Sequence, residues 1–259
     1  MTEPHFDARV PNVARVYDYL LGGKDHFAAD REFAAKLVEA RSDTQMTVRE
    51  NRAFLGRIVT WLAEQGVRQF LDLGTGLPTS DNVHQVVQRI DPATRIVYVD
   101  NDPAVISHAQ ALLAHPSKNV GVVHADLRDP AAVLGAPQTQ ELIDWEQPVA
   151  ILMLAILHFI PDTDKPHEVV AQYVDKLPAG GYFALSHAEL REGVDEIAKL
   201  YTAQASSAGQ ARTAADIGKF FTGLDLVDPG LVPVSAWRPA APHTHADSWF
   251  LGGVGYRTP

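Results

Sequence analysis

The chain has 259 residues, 46% of them hydrophobic and 21% charged, with a formal net charge of −10 at pH 7. This composition suits a globular chain with ample core, and so much acid leaves no broad basic face for a phosphate backbone, which argues against nucleic acid as a partner. The absence of cysteine excludes disulfides, zinc–thiolate sites and a cysteine nucleophile. With no apolar run of signal-peptide or membrane-spanning length, the expectation is a cytoplasmic protein that meets no membrane.

Residues 2–43 read as helical, broken at Gly22-Gly23. A longer helix is expected over residues 48–65, where Leu55, Ile58, Val59 and Leu62 recur at helical spacing, with Gly66 as its C-cap. Strands then alternate with helices. The strands fall at 69–73, 96–99, 120–124, 149–154 and 182–186. Val83, Val86, Val87 and Ile90 mark one intervening helix, and Val170, Tyr173, Val174 and Leu177 mark another. Asp102-Pro103 opens a helix to about Leu113, and Asp129-Pro130 opens a shorter one. Continuous apolar strands between amphipathic helices predict a parallel sheet covered on both faces. Helix returns over 191–221. A Val- and Pro-rich stretch at 224–237 and a strand at 249–256, with no helix between, predict an antiparallel edge hairpin. The simplest division is a helical extension or lid, residues 1–66, packed on an α/β core, residues 67–259.

Strand 69–73 runs directly into Gly74-Thr75-Gly76. Such a turn permits close approach of a ligand to the backbone, although G-x-G alone also fits an ordinary βα turn. Three carboxylates favour the ligand reading. Asp100 closes the second strand, 24 residues after Gly76, and Asp126 follows the third. Both fall at the carboxyl edge of an open sheet, where ligands bind. Asp100 is placed to accept ribose hydroxyls, and Asp126 the amino group of an adenine. Asp72 lies within the first strand, where a carboxylate needs backbone or ligand donors. Three acids beside a glycine turn describe a pocket for an adenosine without charged phosphates.

LDLGTG, YVDNDP and ADLRD together resemble the motifs of class I S-adenosylmethionine-dependent methyltransferases over residues 69–257. PNVARVYDYLLGGKDHFAAD, ENRAFL, RQFLDLGTGLPT and VPVSAWRP extend the resemblance, over nearly the whole chain, to an actinobacterial S-adenosyl methyltransferase family formerly described as a domain of unknown function. The resemblance implies a Rossmann-like, seven-stranded sheet with an antiparallel last strand, and N-terminal helices closing over the cofactor. It implies that Gly74, Thr75 and Gly76 line the amino-acid part of S-adenosylmethionine, that Asp100 and Asn101 hold the ribose, and that Asp126 and Leu127 flank adenine. Leu154, Ala155 and Ile156 would border the sulfonium. The stretch LMLAILHFIPD lacks the Asn/Asp-Pro-Pro-aromatic signature of enzymes that methylate exocyclic amines of DNA bases. A small-molecule acceptor is expected instead, with S-adenosylhomocysteine as the other product.

The segment around Arg15, Tyr17, Asp18, Tyr19 and Lys24 is dense in polar and aromatic groups. LLGGKD is not a phosphate loop, because no glycine lies five residues before Gly23 and Asp25 stands where Ser or Thr is required. Arg15 is expected to pair with the cofactor carboxylate, and Tyr17 or Tyr19 to pack on the sulfonium or adenine. Arg49 or Arg52 reaching an anionic group is an alternative to a solvated helix face. His158, after the fourth strand, is either a general base for a hydroxyl acceptor or a buried histidine closing the strand. His187 is a weaker candidate, and His243 and His245 read as a solvated loop rather than a metal site. Two rival functions remain: an NAD-dependent oxidoreductase, against which Thr79 replaces the third glycine of the dinucleotide turn, and a non-catalytic, cofactor-binding regulator.

Overall fold

A computed structural model of the chain describes residues 7–79, 81–112, 118–240 and 248–258. Helices α1 (Val13–Leu21), α2 (Ala28–Ala40) and α3 (Thr44–Glu64) come first. The alternating core follows as β1 (Gln69–Leu73), α4 (Val83–Ile90), β2 (Arg95–Asp100), α5 (Pro103–Leu112), β3 (Val120–His124), α6 (Pro130–Gly135), α7 (Pro137–Leu142), β4 (Ala150–Leu154), α8 (Pro166–Lys176) and β5 (Tyr182–Ala188). The last elements are α9 (Val194–Gln204), α10 (Ala214–Gly218), β6 (Asp225–Leu226), β7 (Val232–Pro233) and β8 (Phe250–Tyr256). His243, His245 and the predicted helix end at Leu113 lie outside the described residues.

The strands form one sheet in the order β3-β2-β1-β4-β5-β8-β6, with β7 also paired to β8. β1 to β5 run parallel, and β8 is antiparallel to β5, β6 and β7. The antiparallel edge is as the sequence indicates, but it is more broken than a hairpin of two long arms. Pro229 and Pro233 lack the N–H that a continuous ladder needs, so the arm before β8 pairs in two pieces of two residues each.

Alternation along the strands divides the interior into two cores. Phe70, Ile96, Tyr98, Ala150, Leu152 and Ala184 face α3, α4 and the other N-terminal helices. Leu71, Leu73, Val97, Val99, Ile151, Met153, Phe183 and Leu185 face the opposite layer, which contains Tyr173 of α8 and Phe220 and Phe221 after α10. Apolar residues on both faces of a strand are what a doubly covered sheet requires. Asp72 is a buried carboxyl among them, on the same face as Phe70.

α1 to α3 are joined to the core by specific contacts. Arg57 of α3 donates through Nε to the Trp237 carbonyl (2.9 Å) and through Nη2 to that of Val234 (2.6 Å). α2 meets α9, where Phe33 and Tyr201 pack edge to face at 5.1 Å, and Lys36 donates to Gln204 at 2.7 Å. Ahead of α1, the Asn12 side chain accepts from the amides of Ala14 and Arg15 as N-cap. Its Nδ2 also donates to Asp102 at 2.7 Å, and the Ser206 amide donates to the Pro11 carbonyl at 2.9 Å. The N-terminal helices thereby cover the carboxyl edge of the sheet. Chain order reverses there between β1 and β4, the switch point at which open α/β sheets bind ligands.

Candidate active site

The turn after β1 is closed by the Gly74 amide, which donates to the Val99 carbonyl at 2.8 Å. Gly74 stands at φ +74°, and a Cβ there would lie 2.4 Å from the Ile156 side chain, so both backbone conformation and packing demand glycine. The Gly76 amide donates to Asp100 Oδ2 at 2.9 Å, and the Asp102 amide donates to Asp100 Oδ1 at 3.0 Å. Burial pushes the Asp100 pKa up, against the pull of these two hydrogen bonds. A carboxylate has about four acceptor sites, so both oxygens retain capacity for vicinal hydroxyls.

Asp126 is gripped by Arg128, whose Nε and Nη2 donate to the carboxylate at 3.0 and 2.6 Å. Asn101 adds a longer contact at 3.4 Å. Burial alone would raise the Asp126 pKa, but the Arg128 bonds outweigh it and hold the group below the usual carboxylate range. Arg128 also reaches Asp164 at 2.7 Å. This clamp across the edge is absent from the sequence reading, although ADLRDP places Arg128 two residues from the acid. Leu127 is buried beside it, its carbonyl accepting from the Tyr173 hydroxyl at 2.9 Å.

Asp72 is buried, and its only side-chain donor among the described residues is the Thr75 hydroxyl at 3.2 Å. Burial raises its pKa to about 7, with Thr75 and the charge of Arg52 opposing the rise and Asp100 adding to it. Arg52 of α3 donates to the Asp81 carbonyl at 3.0 Å and to Asn82 Oδ1 at 3.3 Å. Arg52 and Tyr17 line the same cavity as the glycine turn, so this cation sits between the cover and that turn.

The cover gives two of the expected site residues partners of their own. Arg15 is buried, but its guanidinium is engaged within the cover itself: Nε donates to Asp30 Oδ2 at 2.8 Å and Nη2 to the Val10 carbonyl at 2.7 Å. Asp30 is 0% exposed and also accepts from the amides of Asn12 (2.9 Å) and Phe27 (2.8 Å). Arg15 is therefore the partner of a buried acid, and it also lines the cavity. Tyr19 is exposed and packs edge to face on His26 at 4.9 Å; it does not line the cavity. Tyr17 does, its hydroxyl accepting from Asn51 Nδ2 at 2.8 Å. Asp18 accepts from the Asp25 amide at 2.9 Å. A Cβ on Gly23 would fall 1.9 Å from Asp18 Oδ1, so the second glycine of LLGGKD serves that close approach.

Beyond β4, Ala155 adopts φ +52°, rare for a residue with a Cβ. Its amide is held by the carbonyl (3.1 Å) and hydroxyl (2.9 Å) of Ser186. The turn that follows carries His158, 8% exposed and with Nδ1 buried and unpartnered among the described residues. Burial, then the proximity of His187 and Arg212, holds the His158 pKa well below its ordinary value, so the ring is neutral at pH 7. Behind it, His187 is fixed as the Nδ1–H tautomer, with Nδ1 2.8 Å from the Ala188 carbonyl and Nε2 accepting from Arg212 at 2.8 Å. Arg212 also donates to the carbonyls of Leu157 (3.0 Å) and Ile160 (2.7 Å) and to Asp162 (2.7 Å). His187 and Arg212 thus fasten the turn that presents His158.

A single cavity of about 1040 Å³ gathers these groups. Its lining includes Asp72, Gly74 to Gly76, Asp100, Asn101, Asp126, Leu127, Ala155 and His158 from the sheet edge, and Arg15, Tyr17 and Arg52 from the cover. The volume is at the top of the range of about 300–1,000 Å³ that one drug-sized ligand occupies.

The sequence pattern of S-adenosyl methyltransferases matches residues 1–258. The chain belongs to the S-adenosyl methyltransferase family. It is 37% identical to a candidate methyltransferase from Thermobifida fusca YX, with 98% of this chain and 97% of that one covered and a TM-score of 0.93. It is 38% identical to a DUF574 family protein from Streptomyces avermitilis MA-4680, with coverages of 98% and 99% and a TM-score of 0.92. An O-methyltransferase family protein from Burkholderia thailandensis shares the fold alone, at 15% identity, coverages of 85% and 62% and a TM-score of 0.53. No curated protein sequence matches. An S-adenosyl methyltransferase is an enzyme that uses S-adenosylmethionine, which displaces the dinucleotide reading of the turn. Among the described residues no helix is long and apolar enough to cross a membrane and no side-chain cluster could hold a metal.

Proposed function

We propose that this methyltransferase transfers the methyl group of S-adenosylmethionine to a small molecule enclosed between the sheet edge and the N-terminal extension, residues 1–66. The observation that carries this reading is the convergence of the Gly74–Gly76 turn, Asp100, Asp126 and Ala155 on one covered cavity. The fit of the cofactor is supported by Asp72, a buried carboxyl with a single side-chain donor, which an ammonium group would satisfy. Asp100 would take the ribose hydroxyls, Asn101, Asp126 and Leu127 the adenine side, and Thr75 the amino-acid end. Arg52 replaces Arg15 as the partner of the methionine carboxylate. Tyr17 closes the site from above.

When bound, S-adenosylmethionine supplies the methyl group on a good leaving group. The protein holds the acceptor in line with it, excludes water beneath α1 and α2, and removes a proton where the acceptor is a hydroxyl. Orientation of two bound reactants can supply several orders of magnitude in rate without a strong base. Volume favours a second bound molecule over a site for cofactor alone, and so favours an enzyme over a regulator. Isothermal titration tests the reading: S-adenosylhomocysteine should bind and NAD should not, and binding of NAD alone would sink it.

A further inference from the structure

The cavity continues past the sulfonium-side residues into a region with a different chemistry. From Ala188 to Phe250 its described lining contains no Asp, Glu, Lys or Arg. That wall is built by Val194, Ile197 and Tyr201 of α9, the loop 206–211, and Trp249 and Phe250 at the start of β8. A charged group placed against it is desolvated and finds no counter-ion on this wall.

Polar groups interrupt this wall: Ser206, Ser207 and Gln210 of the loop, the Trp249 indole nitrogen, which is buried without a partner among the described residues, and, beside them, His158 and Tyr201. His158 makes no side-chain hydrogen bond among the described residues, and its ring packs at 4.4 Å from Phe159 and 5.2 Å from Phe250. The half-buried Tyr201 packs edge to face on the Phe159 ring at 5.0 Å, and its hydroxyl has no hydrogen-bond partner among the described residues. Both line the cavity. Polar groups shielded from bulk water are normally paired, and an imidazole and a phenol that line one cavity with no side-chain partner among the described residues are open to a ligand that pairs them. A neutral imidazole and a phenol together ask for a group that both donates and accepts, and a hydroxyl is the smallest that does.

We propose that this end of the cavity is the acceptor chamber and that it takes an uncharged aromatic compound whose hydroxyl is engaged by His158 and Tyr201 and receives the methyl group. The proposal rests on the methyl-transfer reading above and specifies its substrate class. Phe159, Tyr201, Trp249 and Phe250 offer aromatic surface on which a flat ring packs better than an aliphatic chain. The hydroxyl oxygen forms the new bond to the methyl carbon as the carbon–sulfur bond breaks, sulfur keeping that electron pair. The hydroxyl proton passes to His158 as the oxygen becomes positive. Because burial makes His158 a weak base, the step suits a phenol, with a pKa of about 10, better than an aliphatic alcohol.

The test uses the full chain, labelled S-adenosylmethionine and four probes: 1-naphthol, 1-decalol, 1-naphthylamine and 1-hydroxy-2-naphthoate. Binding of each probe to the enzyme saturated with S-adenosylhomocysteine is measured alongside label transfer. 1-Naphthol should bind and accept the methyl group, and the carboxylate-bearing probe should bind about tenfold more weakly or worse. Y201F and H158Q should each weaken naphthol binding by about tenfold while S-adenosylhomocysteine affinity stays within about twofold. Preference for the amine, the alcohol or the carboxylate, or naphthol binding unmoved by both substitutions, overturns the proposal. So does failure of naphthol to bind an enzyme that binds S-adenosylhomocysteine; failure to bind S-adenosylhomocysteine at all overturns the cofactor reading instead.

Discussion

Arg15 and Asp30 form an ion pair at 2.8 Å with side chains 6% and 0% exposed. Asp30 also holds the amides of Asn12 and Phe27, so one buried acid ties the start of α1 to the start of α2. Removing the arginine leaves that acid without its counter-charge, which costs about 3–5 kcal/mol in buried pairs. R15A should therefore lower the unfolding free energy by about that amount, read from urea melts. D30N should do the same, and the double substitution should cost less than the sum of the two. Additive effects would show that the pair is not coupled.

Gly74 tests the turn directly. An alanine there meets Ile156 at 2.4 Å and must hold φ +74°, so either the turn or the residue bordering the sulfonium position moves. G74A should abolish measurable S-adenosylhomocysteine binding while leaving a folded chain by circular dichroism. A second substitution, I156A, removes the clash and should restore part of the binding. If G74A alone binds normally, the turn does not cradle the cofactor.

Asp72 carries a pH dependence whose direction follows from its environment. Burial pushes the folded carboxyl up to about 7 from its ordinary value of 3.8, so between those values the folded state holds a proton that the unfolded state has lost. Stability then falls as pH rises through this window, and D72N should flatten that slope. Cofactor binding should run the opposite way, because a cationic ammonium selects the ionised carboxylate. Below pH 7 the affinity for S-adenosylhomocysteine should weaken by about tenfold per pH unit in the wild type and not in D72N. An affinity independent of pH between about 5 and 7 would remove Asp72 from the amino-acid end.

The glycine turn, Asp100 and Asp126 were legible in the sequence because each follows a strand, and parallel strands deliver their carboxyl ends to one edge. The antiparallel last strand was legible because no helical pattern in the sequence separates it from the Val- and Pro-rich stretch before it. Partnering inside the cover was not. Arg15 and Asp30 are separated by a turn whose path no periodicity reports, so a buried pair and a ligand-seeking arginine look alike in sequence. Tyr17 and Tyr19 are two positions apart on α1 and therefore point about 200° apart around its axis, which leaves room for only one of them in the cavity. Tyr201 was missed although Val194, Ile197 and Tyr201 recur at i, i+3 and i+7, the pattern of an inward face. The pattern shows burial and is silent on whether a hydroxyl at its end finds a partner.

Arg52 gives the prediction that separates the two ends of the cofactor. Its guanidinium already touches the Asp81 carbonyl and Asn82 Oδ1 at the start of α4, and it lines the cavity beside the glycine turn. A carboxylate held there would accept a charge-assisted bond. 5′-Methylthioadenosine keeps the adenosine and lacks the amino acid, so it reports on Asp100 and Asp126 without Arg52. R52Q should weaken S-adenosylhomocysteine by about tenfold or more and leave 5′-methylthioadenosine unchanged, whereas D100A should weaken both. Equal losses for the two ligands in R52Q would mean that the substitution loosens the cover as a whole, and an unchanged S-adenosylhomocysteine affinity would return the carboxylate to another partner.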